Sequence, residues 1–309
     1  MDARFIFLGT GTSGGVPIIA CDCRVCRSTD PRDQRTRTGA ALEWIDPTGA
    51  RRVVLLDTTP DLRQQALRHD LRRCDAILFT HNHADHVFGL DEVRRFNAVM
   101  KAPIDVYAEQ HTMESLLRIY PYIFDKKKNV NESFVATLIA HLISPSHTGD
   151  TPNDDRFAPI ELWGMRFEPV RYLHGRLPIL GFRIEPVAQP GQPADDCGIF
   201  PLMYATDVSA IPPRTWQKLT GLRTLVLDAL RIRHHPTHFN LDQAVDAALK
   251  IEAQQTWFVH IAHEILHAEV DEQIPERINI AYDGLTIGRD LPPDTSVGKI
   301  NTKKEAWDD

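Results

Sequence analysis

Five short apolar runs, rich in β-branched residues, each stop at a side chain able to bind a metal or accept a proton. Arg52–Leu56 ends at Asp57, Ala76–Thr80 at His81, Leu202–Thr206 at Asp207, Thr224–Leu227 at Asp228 and Thr256–Val259 at His260. Runs of this length without polar alternation predict strands covered on both faces. Chemistry collected at the carboxyl ends of such strands is the usual arrangement of layered α/β proteins. Helical spacing fills the intervals. Pro60–Asp70 places Leu62, Ala66 and Leu67 on one side, with Pro60 suited to the first turn. After Asn240, the residues Leu241, Ala244, Val245, Ala248 and Leu249 recur at helical spacing, and Asn240 with Gln243 has the form of a capping box. Met165–Tyr172 and Ile179–Glu185 flank His174-Gly175 as the arms of a hairpin, and the first ten residues read as an opening strand. Pro186–Pro201 and Thr148–Pro159 read as exposed loops, and the polar stretch from Leu291 as surface chain. With no repeat and no clear linker, residues 1–309 read as one α/β domain with insertions near 107–159 and 186–201.

Composition narrows this picture. Of 309 residues, 42% are hydrophobic and 25% charged, which excludes a chain disordered throughout. Lys plus Arg number 35 against 42 Asp plus Glu, a net charge of −7. That balance weighs against non-specific nucleic-acid binding while leaving room for a local basic pocket for one phosphate. No stretch approaches the ~18 apolar residues of a membrane span, and the N-terminus is too short in apolar residues and too early in acid for a secretory signal. The expectation is a cytoplasmic protein with no membrane partner, whose thiols stay reduced. Three of its five cysteines, Cys21, Cys23 and Cys26, fall within six residues, which points to metal before disulfide. Cys74 and Cys197 stand alone and read as a buried small hydrophobe and a loop thiol.

The strongest chemical signal is His81-Asn82-His83-Ala84-Asp85-His86, directly after a predicted strand. Four metal-competent side chains in six residues are rarely needed for packing. Residues 81 and 83 of an extended turn project the same way and can chelate one ion, while Asp85 and His86, opening the next helix, can turn toward a second. Imidazole and carboxylate donors suit Zn, Mn or Fe. One ion cannot use all the remaining candidates, His174, Asp207, His238, His260 and His263. A carboxylate such as Asp207 between two ions ~3.5–4 Å apart is a normal bridge of dinuclear hydrolases, although an Asp after a strand also caps helices.

This order of motifs resembles the metallo-β-lactamase superfamily: His81-x-His83-x-Asp85-His86, an isolated His, an Asp after a strand and a late His. Leu8-Gly9-Thr10-Gly11-Thr12-Ser13-Gly14-Gly15-Val16-Pro17 and Cys21-x-Cys23-x2-Cys26 further resemble its branch containing the cyclic phosphodiesterase of bacterial phosphonate degradation. The resemblance implies a four-layer αββα sandwich. It implies one active-site ion on His81, His83 and His174, a second on Asp85, His86 and His260, and Asp207 bridging both, with Zn or Mn as the divalent metal. It further implies a structural zinc on Cys21, Cys23, Cys26 and His263, a closed tetrahedral shell. In Pro236-Thr237-His238 it implies a non-ligand His acting on the leaving group, with His235 as the neighbouring alternative and Asp85 counted with His238 among the catalytic residues. The family's Asp-x-Gly appears here as Asp57-Thr58-Thr59, with Asp57 expected to accept a hydrogen bond from a ligand His.

The implied reaction is hydrolysis of a cyclic nucleotide-like phosphodiester, with two cations lowering the pKa of a water they share and His238, as imidazolium, protonating the departing alkoxide. The expected partner is a small phosphodiester substrate, without a stable nucleic-acid complex; a homodimer is expected only by analogy with relatives. Competing readings are an RNA-processing nuclease, a carboxylic ester or lactone hydrolase on the same fold, and a zinc-stabilised binding module without activity. The last leaves the 81–86 constellation unexplained. Gly9-x-Gly11-x-x-Gly14 formally matches a dinucleotide fingerprint, but Pro17 and the cysteines follow where a long helix should begin. His111, His141 and His147 lie in the inserted region and read as structural, and Asp228 is a candidate to support the site from behind.

Overall fold

A computed structural model of the chain describes residues 1–145, 156–187, 197–292 and 294. The loops expected at 148–159 and 186–201, His147 and the tail from Leu291 therefore lie largely outside the described residues.

Two seven-stranded mixed sheets face each other. The first is built from β1 (Ala3–Gly9), β2 (Gly39–Ile45), β3 (Arg51–Leu56), β4 (Ala76–Leu78), β5 (Ile104–Glu109), β6 (Leu138–Ile143) and β14 (Thr286–Gly288), in the order β14-β1-β2-β3-β4-β5-β6. The second contains β7 (Ile160–Leu162), β8 (Met165–His174), β9 (Leu177–Pro186), β10 (Leu202–Ala205), β11 (Thr224–Asp228), β12 (Gln255–Val259) and β13 (Ile278–Ile280), neighbouring in reverse sequence order. Each sheet has an antiparallel half and a parallel half, β3-β4-β5-β6 in one and β10-β11-β12-β13 in the other. The parallel strands need crossovers that cover the outer faces. These crossovers include α1 (Leu62–Arg68), α2 (Ala84–Val87), α3 (Arg94–Met100), α4 (Gln110–Ile119) and α5 (Pro121–Phe124) on the first sheet, and α6 (Leu241–Ile251) and α7 (His267–Asp271) on the second.

Alternation along each strand sorts the core into layers. Val54 and Leu56 of β3 point between the sheets with Phe5, Phe7, Trp44, Phe167, Phe182 and Tyr204, while Val53 and Leu55 face the outer layer with Leu62, Phe96 and Leu116. On the far side Leu225 and Leu227 pack with Ala244, Ala248 and Ile251 of α6. Burial on both faces is why these strands lack polar alternation, and the αββα sandwich follows from it.

The hairpin around His174 pairs Met165 with Pro186 through to His174 with Leu177. The Asn240 capping box is formed reciprocally with Gln243. Helix α1 begins at Leu62, after Asp61, so Pro60 precedes the first turn rather than sitting in it. Within the region read as an insertion, β5 and β6 pair in parallel and extend the first sheet, with α4 packed beside them. No helix among the described residues is long and apolar enough to cross a membrane.

Candidate metal centre

The loops following β3, β4, β8, β10, β11 and β12 bring together side chains from 57 to 263. Two groups of donors form side by side. His81, His83 and His174 make one, and Asp85, His86, Asp207 and His260 the other, with the ligand atoms within each group no more than 4.8 Å apart. Asp207 lies between them: Oδ2 is 3.2 Å from His86 Nε2, while Oδ1 is 3.2 Å from His260 Nε2 and 4.0 Å from His81 Nε2. Asp85 Oδ2 is 3.3 Å from His86 Nε2 and 3.7 Å from His260 Nε2.

The second nitrogen of each ring shows which atoms are reserved. Thr80 donates through its backbone N–H and its hydroxyl to Asp57, each at 2.8 Å, so its hydroxyl oxygen accepts from His81 Nδ1 at 2.9 Å. His86 Nδ1 donates to Asp57 Oδ2 at 2.8 Å, and His174 Nδ1 to the Thr237 carbonyl at 2.6 Å. A proton on Nδ1 leaves Nε2 as the free lone pair, the arrangement that orients a metal-ligating imidazole. Asp57 thus aligns His81 and His86 together, and the Asp57-Thr58-Thr59 turn keeps the accepting role despite lacking the glycine. The hydroxyl of Thr80 and the carbonyl of Thr237 are partners the sequence reading missed. Nothing local marks either, apart from Gly175, where a Cβ would meet Thr237 Cγ2 at 2.8 Å.

Asp57, Asp207 and His260 have φ of +64°, +59° and +63°. Each follows a strand and turns its side chain back over the end of the sandwich. A non-glycine residue held there costs about 1–3 kcal/mol, the kind of strain that gathers at functional sites.

The donor set fits divalent cations. The Nε2 atoms of His81, His86 and His260 are buried without a hydrogen-bond partner, a costly state unless something else takes their lone pairs. Burial holds His81, His83 and His174 well toward the neutral form, as ligands require. Burial would do the same to His260, but Asp207 and Asp85 outweigh it and raise its pKa to about 9. Asp207 stays ionised despite complete burial, because His260 and His86 surround it. Buried carboxylates that draw positive charge onto neighbouring imidazoles mark a site built for cations.

His238 stands beside this set. Its ring is 4.5 Å from that of His174 and stacks at 4.7 Å on that of His260, and its Nδ1 lies 2.7 Å from Asp228 Oδ2. The other Asp228 oxygen is 3.9 Å from His260 Nδ1, beyond hydrogen-bond reach, so the hydrogen bond of this buried side chain goes to His238. Burial, then the charge on His260, lower the His238 pKa to about 4, which makes the ring neutral at pH 7 rather than the imidazolium expected from sequence. The part due to His260 lasts only while His260 is charged; a His260 acting as ligand is neutral. His235 lies 5.1 Å from His238, and its Nδ1 accepts from Thr237 N at 3.3 Å. The carboxylate partner therefore belongs to His238 and not to His235. Of the other histidines, His141 pairs with Asp105 at 2.8 Å and stacks on Tyr107, and His111 opens α4; neither belongs to the two donor groups.

Separately, Cys21, Cys23, Cys26 and His263 form a third group, with the thiols 3.2, 3.5 and 3.6 Å from His263 Nδ1. The Cys26 N–H donates to Cys23 Sγ and holds that thiol down at about 6, whereas burial pushes Cys26 up to about 11. Three thiols and one imidazole suit zinc. The glycine loop before them binds the chain to itself: Gly9 and Gly11 press against the Arg35–Arg37 backbone, and Gly11 pairs with Ile261. The dinucleotide fingerprint is thus a close-packing device.

Residues 51–261 match the model of the beta-lactamase superfamily domain. The chain belongs to that superfamily. It is 37% identical to a diphosphatase of the PhnP family of known crystal structure, with a TM-score of 0.77, covering 93% of this chain and 97% of that one. The zinc-bound PqqB of Methylobacterium extorquens shares the fold at 20% identity and a TM-score of 0.65, over 93% of this chain and 100% of that one. An octanoyltransferase of Porphyromonas gingivalis is 36% identical over 286 residues, which are 91% of this chain and 51% of that protein. The chain therefore spans about half the length of that relative. As a superfamily member with this donor set, it has the metallo-β-lactamase hydrolase fold and the divalent-metal binding that the fold implies.

Proposed function

We propose that the protein is a metal-dependent phosphodiesterase acting on small cyclic or nucleotide-like diesters. The observation that carries this reading is the Asp228–His238 pair set against His174 and Asp207. Esters of phosphorus with an alkoxide leaving group need a proton delivered to the departing oxygen, and a buried imidazole oriented by a carboxylate beside the cation groups suits that role. The 37% identity with a diphosphatase supports phosphorus chemistry. The octanoyl transfer named for the longer relative belongs to a protein of which this chain matches half.

On this reading His81, His83 and His174 would hold one divalent ion, Asp85, His86 and His260 a second, and Asp207 would serve both. Zn or Mn suits this mixture of imidazole and carboxylate. Bound there, such ions polarise a phosphoryl oxygen and bring the pKa of a water toward neutrality. Asp57 and Thr80 keep His81 and His86 in the ligating tautomer. Thr237 does the same for His174. Asp228 orients the His238 ring through Nδ1, and the ring, neutral at rest, would take up a proton at Nε2 before delivering it to the leaving oxygen. Cys21, Cys23, Cys26 and His263 would hold a structural zinc that fastens the N-terminal loop to the His260 loop.

The test is a panel of bis(p-nitrophenyl) phosphate, 2′,3′- and 3′,5′-cyclic nucleotides, RNA and lactones, each with Mn and with Zn. Turnover confined to the small phosphodiesters, and lowered ~10²–10⁴-fold by His238→Ala, is the expected result. Preference for lactones, or a His238→Ala enzyme at the wild-type rate, removes the reading.

A further inference from the structure

Within the first donor group, His81 is held from behind by Thr80 and His174 by the Thr237 carbonyl. His83 is not. It is exposed, and among the described residues neither of its ring nitrogens has a hydrogen-bond partner. Its backbone is extended (φ −66°, ψ 152°), and among the described residues no backbone hydrogen bond from another element reaches Asn82 or His83. What holds this ligand is the side chain before it. Successive side chains of an extended segment point to opposite sides, so the arrangement that sets the His81 and His83 rings 4.6 Å apart turns Asn82 away from them. There it meets α4. Asn82 Nδ2 donates to Ser115 Oγ at 2.9 Å, and that hydroxyl donates to the His111 carbonyl at 3.0 Å. With its one proton spent on the helix, the Ser115 oxygen accepts, which fixes the direction of the Asn82 bond.

Helix α4 is tied to the ligand-bearing segments at two further points. Glu109, just before its first turn, pairs at 2.5 and 2.7 Å with buried Arg171 of β8, three residues before His174. Tyr120, just past its last turn, donates to the Val87 carbonyl at 3.1 Å, next to His86. The His86 end has an independent hold, since Thr58 N donates to His86 O at 2.8 Å. The His83 end depends on Asn82. Helix formation alone favours Ala at position 115, because Ala is the better helix former and the Ser hydroxyl competes for a helix carbonyl. We propose that Asn82 and Ser115 are positioning residues for the first cation group, fastening to α4 the backbone that carries His83. The proposal rests on the reading of His81, His83 and His174 as holders of an ion.

The experiment is Ser115→Ala and Asn82→Ala in the full chain, singly and together, with two readouts besides activity. Chelator competition measures Zn and Mn affinity at the His/Asp groups, with the Cys21–Cys23–Cys26–His263 zinc as internal reference, and urea unfolding measures the metal-free protein. The expected result is one His/Asp ion bound about tenfold more weakly in each single variant, no greater loss in the double variant, and an unchanged reference zinc. Metal-free Ser115→Ala should be no less stable than wild type. In a His83→Ala background, Ser115→Ala should have no further effect on affinity, which assigns its action to that ligand. Wild-type affinity in both single variants overturns the proposal. So does a loss that persists undiminished in the His83→Ala background, or one shared by the reference zinc and accompanied by lower metal-free stability, which would make the Asn82–Ser115 contact a packing feature. A wild-type chain that binds no ion at the His/Asp groups removes the metal reading itself, and this proposal with it.

Discussion

Two kinds of metal-type cluster meet on one short loop, His260-Ile261-Ala262-His263, and they are built differently. The thiol cluster draws three of its four side chains from six consecutive residues, sits half-exposed, and is shaped by backbone N–H groups such as those of Cys26 and Ile18. The His/Asp cluster draws on the ends of several strands in both sheets. It is buried apart from His83, and three of its five rings, those of His81, His86 and His174, are oriented by a partner behind them. The first can assemble locally and holds two chain segments together. The second exists only when both sheets are in place, so it reports on the whole fold. The loop couples the two: Ile261 N donates to Thr10 O and Thr12 N to Ile261 O, which ties the His260 turn to the strand leading into the cysteines.

The sharpest way to break this contrast is Asp207→Ala. Removing the carboxylate shared by both donor groups should lower phosphodiesterase turnover about 10³-fold, roughly 4 kcal/mol of barrier. Metal analysis should show the His/Asp ions lost and one zinc retained by the thiols. A full metal complement with activity within tenfold of wild type would mean that Asp207 is not the bridge. Cys23→Ser should do the reverse. The thiol zinc should be lost and the unfolding free energy from urea titration should fall by a few kcal/mol, part of the ~10–16 kcal/mol a structural zinc can contribute. The His/Asp ions should remain in the protein that stays folded.

Asp228→Asn tests the partner behind the site. It should keep all the metal and lower kcat about 10–100-fold, because His238 loses the partner that orients its ring. If metal is lost in proportion to activity, Asp228 acts on the His260 side alone, and the assignment of His238 to the leaving group weakens.

These contrasts also explain what could be read without coordinates. The strands were legible because each is buried on both faces, and the 81–86 motif because four donors in six residues have no packing explanation. The cysteine cluster was legible for the same local reason. The supports were not. Thr80 and Thr237 act through a hydroxyl and a carbonyl that every such residue possesses, and only proximity in the fold gives them a role. The charge state of His238 was equally hidden, since it depends on burial and on His260, 22 positions further along the chain. The stretch near 107–159, which reads as an insertion, contributes the end of β5 and all of β6 to the first sheet. Their sequence, with Leu138–Ile143 exposed along much of one edge, lacks the doubly buried character of the central strands.

The smallest expected effect concerns the packing behind the thiol cluster. His267 opens α7 at 3% exposure, its N–H donating to Asp33 and its Nδ1 accepting from Arg35 at 3.3 Å. Burial, then the charges of Arg35 and Arg32, lower its pKa to about 4. The unfolded chain takes up this proton near pH 6.5 and the folded chain only near pH 4. Stability is therefore intact above 6.5 and erodes as pH falls through the interval between the two values. From pH 8 to pH 6 this amounts to about 1 kcal/mol. His267→Gln keeps an acceptor for Arg35 but cannot take up the proton, so its urea midpoint should fall less over that range at fixed zinc. Equal losses in the two proteins would show that His267 binds its proton as readily in the fold as in the unfolded chain, and that the Arg35 contact is made differently.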